Sequence, residues 1–433
     1  MAASFPTRAE LRASQLAQLR SLVTELFPAN SFYTRKLEQV GITFDVASLE
    51  DFSARFPFTT KQELVANQLA HPPYGTNLTY PLASYTRFHQ TSGTMGTPLR
   101  WLDTPESWDW LVENWTQVFR AAGGRAGDRV CFAFSFGPFI GFWLAFESAT
   151  RLGCLCIPTG GMSSIARVQT ILDNAATVIC CTPTYALRLG EVAAEAGFDL
   201  GRSRVRRIIV AGEPGGSIPA TRARIEHLWP GARVCDHHGM TEVGPVTYEC
   251  PAQPGVLHVI ESGFYAEIIE PNSGKPVQPG ETGELVLTPL GRVASPLLRY
   301  RTGDLVQLVP RHSSPVTPCA CGSHELALVG GILGRVDDMI IVRGVNVYPS
   351  AVEAVIRSVG GVAEFQARVT ARGPLMELAL TIEPESSCAD ASTLVAKLER
   401  AFESAFSLHL PVTLAALGAL PRFEMKAKRW VRE

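Results

Sequence analysis

From residue 128 to about 240, short apolar runs alternate with longer amphipathic stretches of helical period. The runs expected as strands are 129–134, 155–158, 178–182, 207–211 and 233–236, and the helices between them are 139–151, 164–174, 184–196 and 218–228. Ser163 or Ser164, and Thr182 or Thr184, stand where helix N-caps fall. Strands that alternate with helices in this way specify a parallel sheet covered by helices on both faces. Such sheets bind ligands at the carboxyl ends of their strands.

At 433 residues the chain is longer than one ordinary domain. Its character changes after residue 245, where Gly-Lys-Pro at 274–276 and Gly-Glu-Thr-Gly at 280–283 punctuate alternating apolar strands such as 283–288. A smaller antiparallel, β-barrel-like subdomain is expected there. The tail then offers helices at 348–359 and 391–406 and strands at 365–370, 377–382 and 412–415. The expected fold class is therefore α/β: an N-terminal domain at 1–334 with parallel sheets flanked by helices plus the β-barrel-like subdomain, and a small mobile α+β domain at 335–433.

Hydrophobic residues make up 46% of the chain and charged ones 18%, ample for a large core. With 39 basic against 41 acidic residues, no long-range field recruits nucleic acid or an anionic membrane. The most apolar stretch, 130–146, is broken by Ser135, Gly137 and Pro138 and is shorter than the roughly 20 residues a bilayer requires. Arg8, Arg12 and Arg20 faintly suggest a transit peptide, but Glu10 and the lack of an apolar core or cleavage pattern argue against export. A cytoplasmic protein is expected. Ten cysteines, several inside apolar runs, suit a reducing compartment.

Four segments carry the chemistry. The first, Thr91, Ser92, Gly93, Thr94, Met95, Gly96 and Thr97, joins hydroxyls to glycines that let backbone N–H groups turn toward a phosphate; alone, it is equally a polar surface turn. Tyr300-Arg-Thr-Gly-Asp304 supplies a carboxylate able to accept both hydroxyls of a vicinal diol. Gly334-Arg335-Val-Asp337-Asp sits between the two expected domains, and Lys426 closes the set in a basic stretch that would otherwise read as a solvated tail.

In this order the four segments resemble the adenylate-forming ligases, which activate a carboxylic acid with ATP, and within them the short phenylacetate–coenzyme A ligase family. The resemblance implies that Gly212, Glu213 and Pro214 line an adenine pocket, with Asp236, His237 and His238 beside it. It implies that Thr241 contacts the α-phosphate and that Glu242 holds Mg²⁺, for which a carboxylate is a suitable hard ligand. Asp304 would take the ribose hydroxyls, Arg335 would lie near ribose and phosphate, and Asp337 would be the hinge. Arg343 and Gly344 would line the coenzyme A tunnel, and Lys426 would bind the substrate carboxylate and the α-phosphate bridge. The chain departs from the family at Thr97, where Lys is usual, at His238, where Tyr is usual, and at Met425 in place of Gly.

The resemblance also puts the aryl pocket near the first strand, where Phe132, Phe134, Phe136, Phe139 and Trp143 cluster; each is also a plausible core residue. Cys250, His258, Cys319 and Cys321 make a soft donor set for tetrahedral, structural Zn²⁺, provided hairpins bring them together. The activity implied is ATP-dependent ligation of an aromatic acid to coenzyme A through an acyl-adenylate. Transfer to a carrier-protein thiol or an amine, and a non-catalytic nucleotide-binding regulator, are the alternatives. Family members often form homodimers.

Overall fold

The computed structural model describes residues 5–91, 97–309, 317–343, 345–372, 375–386, 388, 390–423 and 427–432. Ser92, Gly93, Thr94 and Gly96 of the hydroxyl-rich loop, together with Gly344 and Lys426, lie outside them.

The alternating region forms a five-stranded parallel sheet in the order Leu155–Pro158, Arg129–Phe132, Val178–Cys181, Arg207–Val210, Arg233–Asp236. Its interior strands are apolar on both faces. Val130, Phe132 and Ile209 pack into one core cluster while Cys131, Ile208 and Val210 pack into a second, as expected when helices cover both sides. The helices are Ile140–Arg151, Ser164–Asp173, Pro183–Glu195 and Pro219–Leu228. Ser163 caps the second by accepting from Ala166 N–H, and Thr182 caps the third by accepting from Tyr185 N–H.

The region expected as a small antiparallel unit divides into two sheets. One has the order Phe264–Ile269, Thr282–Pro289, Tyr300–Gln307, Gly334–Arg335; the other has the order Thr247–Glu249, Val256–Val259, Ala327–Val329. The final sheet centres on Val362–Arg372 and Leu375–Pro384, and two helices, Pro349–Val359 and Ala391–Phe406, pack over its own apolar cluster. Trp430–Arg432 pairs in parallel with Val362–Arg372, so the end of the chain is built into this sheet.

The arginine-bearing N-terminal segment is part of the fold. Arg8–Leu26 is a helix opened by a capping box of Thr7 and Glu10, its buried leucines join a cluster that reaches Tyr265 and Leu298, and Arg8 pairs with Glu261. Among the described residues, no helix is long and apolar enough to cross a membrane.

Candidate active site

Two neighbouring strands of the parallel sheet, Arg207–Val210 and Arg233–Asp236, deliver the central loops. The first loop, 211–216, lies close against its surroundings. A Cβ on Gly215 would meet Pro183 Cβ at 2.6 Å and one on Gly216 would meet Asp236 Cγ at 2.5 Å, so only glycine allows this approach. Both carboxylate oxygens of Glu213 accept backbone N–H groups, from Thr184 and from Ala427, each at 2.9 Å.

The second loop begins at Asp236, whose carboxylate accepts from Ser217 Oγ at 2.5 Å and is pushed up to about 6 by burial. His237 turns inward, edge-on to Trp115 at 4.8 Å, and burial holds it neutral by pushing it down to about 3. His238 faces the opposite wall, with Nε2 lying 3.1 Å from Asp304 Oδ2. The pair does not meet at a hydrogen-bonding angle, and both atoms are buried without a hydrogen-bond partner. Buried polar atoms left without a hydrogen bond are costly, and among the described residues these two have only each other close by.

Thr241 and Glu242 occupy the tip of a tight hairpin whose arms, Gly239–Met240 and Gly244–Pro245, are paired. Arg292 holds this tip. Its NH1 donates to the carbonyls of Thr241 and Glu242 at 2.8 and 2.9 Å, while Nε and NH2 make a two-point pair with Asp103 at 2.7 and 2.6 Å. Both side chains of that pair are 0% exposed. Asp103 ends the strand Arg100–Asp103, which pairs with Arg87–Gln90 to form the hairpin bearing the hydroxyl-rich loop; Thr91 and Leu99 close the loop's base by exchanging hydrogen bonds. Arg292 thus ties one site loop to another.

The Glu242 carboxylate lies 3.0 Å from Lys61 Nζ and accepts from Tyr300 OH at 3.3 Å. Lys61 places a cation beside the site in a chain whose hydroxyl-rich loop has none. Sequence reasoning missed it, although Thr60 and Glu63 spell the capping box that opens its helix. It also missed Asp103 and Arg292, and offered Thr184 only as an alternative N-cap, because their roles depend on contacts distant in sequence.

Asp304 and Arg335 are register partners on adjacent strands, and Arg335 NH1 donates to Asp304 Oδ1 at 3.0 Å while its Nε and NH2 hold Asp337 at 2.8 and 3.2 Å. Asp337 lies between Gly334–Arg335, which belongs to the earlier antiparallel sheet, and Ile340–Val342, which belongs to the terminal one. Arg343 takes a positive φ of 50° in the turn after Ile340–Val342 and pairs with Glu377 at 3.4 Å.

The expected aromatic residues pack mainly on one another. Phe132 and Phe134 are in the core, Phe134 stacks on Phe142 at 4.0 Å, and Phe136 lies edge-on to Trp143 at 4.9 Å. Phe136 and Phe139 are half-buried, and Phe139 is the residue before the helix Ile140–Arg151.

The three-stranded sheet gathers the soft donor set. Cys250 follows one strand, His258 is within the next, and Cys319 and Cys321 precede the third. All four ligand atoms lie within 4.8 Å of one another, with Cys250 and Cys319 sulfurs 3.6 Å apart and Cys321 Sγ 3.4 Å from His258 Nε2. These are close to the edges of a zinc tetrahedron, about 3.7 Å between thiolates bound at 2.3 Å. His258 Nδ1 faces the Glu325 carbonyl at 3.4 Å, the outer contact that orients a metal-binding imidazole.

Site loops at the carboxyl ends of a parallel sheet, followed in the chain by a separate α+β unit, are the arrangement of the adenylate-forming class of enzyme. The AMP-binding enzyme family matches residues 89–289, and the AMP-binding enzyme C-terminal domain matches 344–433. The phenylacetate–coenzyme A ligase of Pseudomonas putida is 32% identical over 430 residues, covering 96% of this chain and 93% of its own. The crystal structure of 2-hydroxyisobutyryl-CoA ligase in the postadenylation state with 2-HIB-AMP is 28% identical, covers 99% of this chain and 91% of its own, and superposes with a TM-score of 0.93. In the thioesterification state, with 2-HIB-AMP and CoA, that ligase is matched at 29% identity and the same coverage, but the TM-score is 0.74. The chain belongs to the phenylacetate–coenzyme A ligase family. It is an AMP-forming acid–thiol ligase whose substrates are ATP, a small carboxylic acid and coenzyme A.

Proposed function

We propose that the acid is an aromatic one, aryl or arylacetic, and that the two half-reactions are run by two arrangements of the units at 1–334 and 335–433 about Asp337. The observation that carries the substrate reading is the run of aromatic side chains from Phe134 to Trp143, which leaves the carboxyl end of the strand Arg129–Phe132 with Phe136 and Phe139 half-buried. A flat ring buries both faces against such walls, whereas an unbranched chain leaves contact unused and loses more rotational freedom. A difference of about 1.4 kcal/mol in transition-state binding is tenfold in kcat/KM. Pyrophosphate release assayed over benzoic, phenylacetic and aminobenzoic acids against hexanoate, with and without coenzyme A, is expected to favour the aromatic acids by about tenfold or more. Equal efficiency for hexanoate would defeat the aryl reading.

Within the site, the unpartnered oxygen of Asp304 suits a ribose hydroxyl, His238 an adenine face, and the glycine-lined loop at Gly212 and Pro214 the base plane. Thr241 and Glu242 at the hairpin tip suit the α-phosphate and Mg²⁺. The ion supplies charge neutralisation between phosphate oxygens. Glu242 is a suitable oxygen donor for it, and Lys61 covers the same carboxylate in the ligand-free protein. Lys426 would meet the carboxylate being activated, and Arg343 and Gly344 would border the thiol's path. The ten cysteines form no disulfide, which fits a reducing cytoplasm.

Cys250, His258, Cys319 and Cys321 suit a structural Zn²⁺, since four protein ligands leave no position open for chemistry. Protein purified without chelator or metal-affinity tag is expected to carry about one zinc per chain. Cys319→Ser should lose the metal and melt at lower temperature with kcat nearly unchanged. A metal-free parent protein, or a variant with unaltered melting, would remove the assignment.

A further inference from the structure

We propose that Glu213 is a positioning residue for the first half-reaction, seating the C-terminal tail of the protein against the parallel-sheet unit. The inference rests on the two-arrangement reading above and assigns to one carboxylate the choice between them.

Glu213 bridges two backbones that belong to different units. Oε1 accepts from Thr184 N–H, in the buried first turn of the helix Pro183–Glu195, and Oε2 accepts from Ala427 N–H, one residue after Lys426 in the chain. A carboxylate at a helix N-terminus is favoured by the helix dipole, so this one is held in place before the tail arrives. Gly212, at φ 94°, makes the turn that brings Glu213 there.

The tail is stiff on its far side. Arg429 is 5% exposed; it grips Glu364 with Nε and NH2 at 2.6 and 3.2 Å and Glu353 with NH1 at 3.2 Å, all within the C-terminal unit. The same NH1 reaches Thr184 Oγ1 at 3.5 Å. Residues 430–432 are then locked in strand pairing. Movement of the C-terminal unit therefore carries Ala427 with it, and Glu213 marks where Ala427 docks. Superposition with the ligase relative is close for its postadenylation state and much poorer for its thioesterification state, so the contact belongs to the first arrangement.

Glu213→Gln keeps the shape of the side chain but replaces one accepting oxygen with an N–H donor. Hydrogen exchange in the full-length, ligand-free protein should show the Ala427 amide exchanging about tenfold faster in this variant, with amides of the parallel sheet unchanged. Pyrophosphate release from ATP and acid should fall by about tenfold, while thioester formation from supplied acyl-adenylate and coenzyme A changes by less than about twofold. Glu213→Asp retains the charge but is one methylene too short to span both amides, and it should behave similarly. Unchanged exchange at Ala427 in both variants, or equal loss of the two half-reactions, would overturn the proposal. If the parent protein releases no pyrophosphate with any acid, the functional reading fails, and the exchange result at Ala427 still decides the contact.

Discussion

Lys426→Ala is expected to lower acid-dependent pyrophosphate release by roughly 10²–10³-fold while leaving thioester formation from supplied acyl-adenylate within about threefold of the parent. Charge accumulates on the acid's carboxylate and the α-phosphate as the acyl-adenylate forms, and a mobile ammonium is worth most where that charge is shielded from water. Ala427, the next residue, is held by Glu213, and the strand Trp430–Arg432 that follows is paired. In the proposed two-arrangement scheme, movement of the C-terminal unit for the second half-reaction would withdraw the lysine. Lys428→Ala serves as the control, since Lys428 carries the same charge two positions on and should matter far less. Near-normal pyrophosphate release by Lys426→Ala would show that the catalytic cation has been misassigned and turn attention to Lys61.

Arg292→Ala should destabilise the protein by about 3–5 kcal/mol, because removing one member of a buried, two-point ion pair strands the other charge away from the surface. Asp103 would be that stranded charge, at 0% exposure. The double variant Arg292→Met with Asp103→Leu should recover most of the stability, since both charges then go together. Activity should not return with it. The carbonyls of Thr241 and Glu242 would still lack the donor that fixes the hairpin tip, and displacing by about 1 Å the pair proposed to meet phosphate can cost on the order of 10²-fold. Urea denaturation and single-turnover adenylation on the same three proteins separate the effects. Recovery of both stability and rate in the double variant would reduce Arg292 to a packing residue.

Period and punctuation made much of the fold legible. The strand Leu155–Pro158, the strand Arg233–Asp236 and the helix Ala391–Phe406 have the limits their apolar runs indicate, and Ser163 and Thr182 cap the helices expected of them. The first strand stops at Phe132 instead of 134, although Phe134 remains buried, because apolar character reports burial and not strand pairing. The N-terminal helices Arg8–Leu26, Ser31–Gln39, Leu49–Arg55 and Lys61–Ala70 were not read at all. Their apolar faces are short, and Arg8–Leu26 mixes charged residues around much of its surface, so local pattern alone does not announce them.

The sequence by itself determined the alternation of strands and helices that makes a parallel sheet, the identity of the family and the residue types of the soft donors Cys250, His258, Cys319 and Cys321, because each is read from local pattern, residue type or motifs in a fixed order; that the four donors meet, across more than 60 positions, was left to the fold. Only the tertiary structure decided that Lys61 faces Glu242, that Arg292 binds Asp103 and the Thr241–Glu242 carbonyls at once, and that Glu213 receives the tail at Ala427. These partners lie from 50 to more than 200 positions apart in the chain. Contacts at such separations are set by how the chain packs around several separate apolar clusters, a property of the whole chain that no local spacing records.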